Sequence, residues 1–279
     1  KEEKYVLKVT LVDYNNASLN QKVDEEFKSL LTSKKGIRLD KSVKYSDRLL
    51  VHQVLLDSLE LLRDIDDFTG IYSIEPMPVL KVVEDSFFNE TEFSPIQPVE
   101  GETYPIVGVL DSGIAKIKAL EPWLAGNTTS YPEKYVNRAH GTFVAGIVGF
   151  GDLLEGCNFT GATGCKLYDA LVIPDLNKEG CTEADLVENI REAVEKNKDT
   201  IKIWNMSLGS GMEISDTDFS DFGTALDDIQ DKNKVWIIKS AGNCNNFTQG
   251  QANGKITRGA DSVRALTVGS IARLQAASD

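Results

Sequence analysis

From about residue 104 onward, one unit repeats along the chain: a short, largely apolar run followed by an amphipathic helix. Ile106–Leu110 (IVGVL), Lys166–Val172 (KLYDALV), Ile201–Trp204 (IKIW), Val235–Ile238 (VWII) and Ala265–Val268 (ALTV) are the runs. Thr182–Lys196 and Asp218–Lys232 have helical spacing, the first with Leu186, Ile190 and Val194 on one face. Thr182 followed by Asp185 reads as a capping box, with Asp in the usual place of Glu. Strands apolar on both faces and separated by helices predict an α/β fold, a parallel sheet covered by helices on both sides.

The first part of the chain follows a different rule. Lys4–Val12 alternates like a strand, and Leu19–Leu31 carries Val23, Phe27, Leu30 and Leu31 on a helical stripe. Arg48–Val54 reads as a strand, Leu56–Ile65 as a helix and Gly70–Ile74 as a closing strand. Two helices over a small antiparallel sheet, a ferredoxin-like α+β unit, is the economical arrangement for residues 1–79. Residues 80–103 are acidic, interrupted by Pro95 and Pro98, and lack a period, so they read as a linker. The α/β domain then occupies 104–279.

Charge narrows the partners. The 279 residues carry a formal net charge of −13, which argues against nucleic acid or an anionic membrane, since each requires a basic face. No apolar stretch approaches the roughly 18 residues needed to cross a bilayer. The two histidines, His52 and His140, and the cysteines Cys157, Cys165, Cys181 and Cys244 form no C-x-x-C pair, so no metal site is assigned. A Cys157–Cys165 disulfide stays open, as the spacing cannot decide it. Reduced thiols and a cytoplasmic location are the preferred expectation. A start at Lys1 and an end at Asp279 suggest a piece of a longer product, which leaves a removed signal peptide, and secretion, open.

In open parallel α/β sheets, functional residues gather beyond the carboxyl ends of the strands. Asp111-Ser112-Gly113 follows the first run, and Ser240-Ala241-Gly242-Asn243 follows VWIIK; each alone is a turn sequence. Asn205 to Gly209 (NMSLG) follows IKIW in the same way. His140-Gly141-Thr142 opens a segment whose Gly141, Ala145, Gly146 and Gly149 give a nearly flat helix face. Glycine costs about 1 kcal/mol per helix-interior position, so several together imply close approach to the sheet.

Order and spacing make these signals strong together, and the sequence resembles the subtilase family of serine proteases. The family's Asp motif, V-x-V-x-D-S/T-G, appears here as Val107–Gly113, though Leu110 precedes the Asp. Its His motif, H-G-T-x-V-A-G, is met by His140–Gly146, its substrate strand by Asn205–Gly209 and its oxyanion motif by Ser240–Asn243. The intervals are 29 residues from Asp111 to His140 and 103 from His140 to Asn243. The resemblance implies that Asp111 orients His140, that His140 is the general base and then acid, and that the Asn243 amide donates to the oxyanion. It implies that Ser207, Leu208 and Gly209 pair with an extended peptide or unfolded protein substrate and, with Ser240, Ala241 and Gly242, wall the pocket for the residue before the scissile bond. The small side chains there leave room for a sizeable apolar group. Gly180, in the loop Asn177–Cys181, would edge the substrate on its other side.

One element of the pattern is missing. The family's nucleophile lies in a later G-T-S-x-A/S-x-P segment, and the 279 residues contain none. A truncated, inactive piece of an active endopeptidase is the expectation; the alternative is a non-catalytic peptide-binding or regulatory protein that keeps the cleft. Family pro-domains are ferredoxin-like and end in a strand of the type V-x-x-I-E-P, which Gly70–Pro76 (GIYSIEP) resembles, so contact between the two domains is expected. Calcium is common in the family, but no ligand loop can be named here, and no cofactor is assigned.

Overall fold

A computed structural model describes residues 4–80, 96–154, 156, 164–209, 212–242 and 256–269. The first unit contains strand β1 (Tyr5–Leu11), helix α1 (Ala17–Ser33), strands β2 (Ile37–Lys44) and β3 (Leu50–Leu56), a single helical turn α2 (Arg63–Asp66) and strand β4 (Ile71–Pro76). They form an antiparallel sheet in the order β2-β3-β1-β4. Asn16 caps α1 by accepting from the Leu19 amide, and Phe27 and Leu31 are buried against the sheet with Val9, Val54 and Ile65.

Two features differ from expectation. The Leu56–Ile65 helix is a 3₁₀ segment at Leu59–Leu62 followed by the single turn α2, because Leu56 belongs to β3, opposite Tyr5 and Ile37. Strand β2 had no predicted counterpart. Its register slips between Leu39 and Lys41, and that bulge breaks the alternation a strand otherwise shows in sequence.

The second unit is a six-stranded parallel sheet in the order β10-β9-β8-β5-β7-β6. Its strands are β5 (Ile106–Asp111), β6 (Leu124–Thr129), β7 (Lys166–Leu171), β8 (Ile203–Met206), β9 (Trp236–Ser240) and β10 (Leu266–Val268). Helices α3 (Ala139–Leu154), α4 (Glu183–Asn197) and α5 (Asp221–Asn233) cover it. Strand β6 (LAGNTT) was not foreseen: it lies at the sheet edge, half exposed, with a register slip between Leu124 and Gly126. The capping box at Thr182 and Asp185 forms in both directions. Ser220 caps α5 by accepting from the Gly223 amide.

The two sheets share a core. Val43, Tyr45, Val51, Met77 and Leu80 pack in one apolar cluster with Ala184, Val187 and Ile190 of α4 and Phe222 and Leu226 of α5. Lys8 of β1 reaches Glu183, the first residue of α4, at 2.9 Å and Asp221, the first residue of α5, at 2.8 Å. Backbone bonds continue the contact: the Leu80 amide donates to the Cys181 carbonyl at 3.0 Å, and the Glu183 amide to Pro78 at 2.9 Å.

Candidate functional site

Strand β5 lies between β7 and β8, where the connections diverge: β6 and β7 lie on one side, β8 to β10 on the other. Such a switch point opens a crevice beyond the carboxyl ends of the strands. Asp111 is the last residue of β5 and is fully buried. His140 is the second residue of α3 and half exposed, and its Nδ1 lies 2.8 Å from Asp111 Oδ1. A carboxylate only accepts, so the ring hydrogen sits on Nδ1 and the basic lone pair on Nε2.

The surrounding loop holds this pair in place. Asp111 Oδ1 also accepts from the Ser112 amide at 2.7 Å, and Ser112 Oγ accepts from the Gly141 amide at 3.1 Å. Gly113 has φ +97°, a left-handed conformation that favours glycine. A Cβ on Gly141 would stand 2.3 Å from the Gly113 carbonyl oxygen, so α3 can approach β5 this closely only with glycine there. The close contact expected of the flat helix face is concentrated at this one position. A Cβ on Gly146 would meet nothing within 4 Å, and one on Gly149 would make an ordinary contact of 3.6 Å with Leu167. Thr142 Oγ1 ties the ends together, accepting from the Ala115 amide at 2.8 Å and donating to the Arg138 carbonyl at 2.6 Å.

Asp169 of β7 stands opposite Val109 in the sheet. Burial raises its carboxyl to about 6 against the opposing pull of the Ile114 amide and Arg138, and the Asp111 charge adds to the rise.

On the other side of β5, the turns after β8 and β9 emerge together, because these strands are parallel neighbours. Ser207 and Gly209 are half-buried and Leu208 buried, with Asn205 Nδ2 donating to Ser207 Oγ at 3.1 Å. Ser240 ends β9, and Ala241 and Gly242 follow it, the latter at φ +108°. Thr257 packs against them, its amide donating to the Ala241 carbonyl at 2.9 Å. Gly180 lies exposed in the loop after β7, where a Cβ would meet nothing within 4 Å. Asn243 lies outside the described residues, as do Cys157 and Cys244. Cys165 and Cys181 are free thiols, and burial pushes Cys181 up to about 12.

Residues 103–279 match the model of the subtilase family. The chain belongs to the subtilase family. Among solved structures, this subtilase is similar to the epidermin leader peptide processing serine protease EpiP from Staphylococcus aureus. The two are 15% identical, with a TM-score of 0.56 over 96% of this chain and 70% of that one, a likeness of fold. A second match, a phospho-2-dehydro-3-deoxyheptonate aldolase from Thermotoga maritima, is 11% identical over 96% of this chain and 69% of that one. Its TM-score is 0.22, and no argument rests on it. No curated protein matches the sequence.

Among the described residues, no group of three or more His, Cys, Asp or Glu side chains is placed to hold a metal ion, and no helix is long and apolar enough to cross a membrane. Sequence reasoning passed over Asp169, Lys239 and Thr257. The one available signal was Lys239 itself, a charge inside the apolar run VWIIK directly ahead of a turn.

Proposed function

We propose that this subtilase is a serine endopeptidase of the subtilisin type, acting on peptides or unfolded protein segments. The observation that carries the reading is the 2.8 Å contact between His140 Nδ1 and buried Asp111, in a chain whose residues 103–279 match the family. In this mechanism Asp111 fixes the imidazole and stabilises its protonated form without taking the proton. His140 Nε2 removes the proton of a serine nucleophile and returns it to the leaving amine. The Asn243 side chain donates to the oxyanion of the tetrahedral intermediate, a role that rests on the motif alone. Ser207–Gly209 receive the substrate as an added strand, Ser240–Gly242 complete the pocket, and Gly180 borders the opposite edge. The chemistry needs no cofactor.

The same reading divides the chain into a pro-domain-like unit at 1–79, a linker at 80–103 and a catalytic domain at 104–279. The shared apolar cluster and the Lys8 ion pairs support a first unit that docks on α4 and α5.

The test uses the complete gene product, because the 279 residues contain no G-T-S-x-A/S-x-P segment. Labelling by an organophosphonate serine probe together with hydrolysis of an unstructured peptide, both abolished in His140→Ala, is the expected result. Peptide binding without labelling or hydrolysis would overturn the protease reading in favour of a non-catalytic peptide-binding protein.

A further inference from the structure

Two lysines are fully buried among the described residues, and they are handled differently. Lys8 is surrounded by carboxylates, with Glu183 at 2.9 Å, Asp221 at 2.8 Å and Glu75 at 3.4 Å. Lys239, the penultimate residue of β9, has no carboxylate within ion-pair distance among the described residues. Its Nζ donates to the Ser240 carbonyl at 2.6 Å and to Ser240 Oγ at 3.2 Å. Burying an ammonium without an opposite charge is costly, and a chain with no use for the charge is better served by an apolar residue of the same length.

The ammonium lies between the two segments that the proposed function assigns to the substrate. A Cβ on Gly209 would stand 3.6 Å from Lys239 Nζ and 3.5 Å from Thr257 Oγ1. Thr257 is held from the other side: its Oγ1 donates to the Ala241 carbonyl at 3.4 Å, and a Cβ on Gly242 would stand 2.4 Å from its Cγ2. Lys239 Nζ and Thr257 Oγ1 therefore both border Gly209, where the turn after β8 meets the turn after β9. Glycine at 209 keeps the backbone close to both, and glycine at 242 keeps it close to Thr257.

We infer that Lys239, with Thr257 beside it, forms the floor of the pocket for the residue before the scissile bond and selects an acidic side chain there. The inference rests on the protease reading and replaces the sizeable apolar group expected from small wall residues. A glutamate or aspartate entering between Ser207–Gly209 and Ser240–Gly242 brings the carboxylate that Lys239 lacks, and Thr257 Oγ1 turns its one hydrogen from the Ala241 carbonyl, 3.4 Å away, to that carboxylate. Burial alone pulls the ammonium down to about 8, so it is predominantly charged at neutral pH, and an incoming carboxylate strengthens the charged form.

The experiment compares kcat/KM of the complete gene product on peptides that differ only in having Glu, Gln or Leu before the scissile bond. The wild-type enzyme is expected to prefer Glu over isosteric Gln by at least about tenfold, the scale of a hydrogen bond to a charged group. Lys239→Met is expected to remove that preference and to favour Leu over Glu. Equal wild-type rates on Glu and Gln would overturn the inference without any variant, even if Lys239→Met failed to fold. So would an unchanged preference in a folded Lys239→Met. Cleavage of the Leu peptide in either case leaves the protease reading intact, whereas no cleavage of any peptide overturns that reading and the inference with it.

Discussion

Lys8 Nζ donates to Glu183 Oε1 at 2.9 Å with both side chains 1% exposed, so a strand of the first unit and the opening turn of α4 share one buried ion pair. Tyr45 also donates to Glu183 Oε1, at 3.1 Å, and Asp221 closes the group from α5. Burial works against the Lys8 charge, but Glu183 and Asp221 more than offset it and raise its pKa. Removing one partner of such a pair leaves an uncompensated buried charge. Lys8→Met is therefore expected to lower the unfolding free energy by about 3–5 kcal/mol in urea titrations at pH 7. Adding Glu183→Gln to Lys8→Met should recover part of that loss. A cost under about 1 kcal/mol in the single variant would show that the pair does not hold the two units together.

His52 of β3 is fully buried, with Nδ1 2.8 Å from Ser42 Oγ and Nε2 3.3 Å from Asp24 Oδ1. Burial outweighs the Asp24 charge and lowers its pKa to about 4. The unfolded chain binds this proton from about pH 6.5 downward while the folded chain resists it, so His52 withdraws stability as pH falls from about 6.5 to 4. His52→Gln is expected to flatten the fall in melting temperature over that range. Parallel curves for the two proteins would refute the assignment.

Much of this arrangement was legible in the sequence because the motifs around Asp111 and His140 are local. Val107–Gly113 and His140–Gly146 each occupy one strand end or helix start, and the strands before them are apolar enough to be recognised alone. What escaped depended on partners distant in sequence. Strand β2 hid behind its bulge at Leu39–Lys41, and Leu56 reads equally well as helix or strand until Tyr5 and Ile37 pair with it. Lys239 looks like a surface charge closing a strand until Gly209, 30 residues earlier, and Thr257, 18 residues later, close around its ammonium.

Lys239 predicts a pH dependence of the same sign in a more alkaline window. Its folded value of about 8 lies below the usual 10.5 for lysine, so the unfolded chain binds more protons between these values and stability rises with pH across that window. Lys239→Met lacks this contribution. Its stability relative to wild type is expected to be highest at pH 7 and to decline toward pH 10 in paired urea titrations; a difference that is flat with pH contradicts the burial of a charged lysine.

Gly141 tests the docking of α3 on the turn after β5. Because a Cβ there would stand 2.3 Å from a backbone oxygen, Gly141→Ala must displace the start of the helix that carries His140. A shift of about 1 Å at a catalytic group can cost about 10²-fold in rate. The expected outcome is a loss of kcat of that order with KM nearly unchanged, whereas Gly146→Ala, in open space, should leave kcat within about twofold. Equal effects of the two alanines would mean that the contact does not position His140.

The most direct test of the account is kcat of the complete gene product on an unstructured peptide at pH 7, measured for wild type and for Asp111→Asn. The substitution keeps the shape of the side chain but offers His140 Nδ1 an amide in place of the carboxylate 2.8 Å away, favouring the wrong tautomer. A loss of about 10⁴-fold is predicted. An active wild-type protein whose Asp111→Asn variant stays within tenfold of it would contradict the assignment of Asp111 and His140 as its catalytic pair.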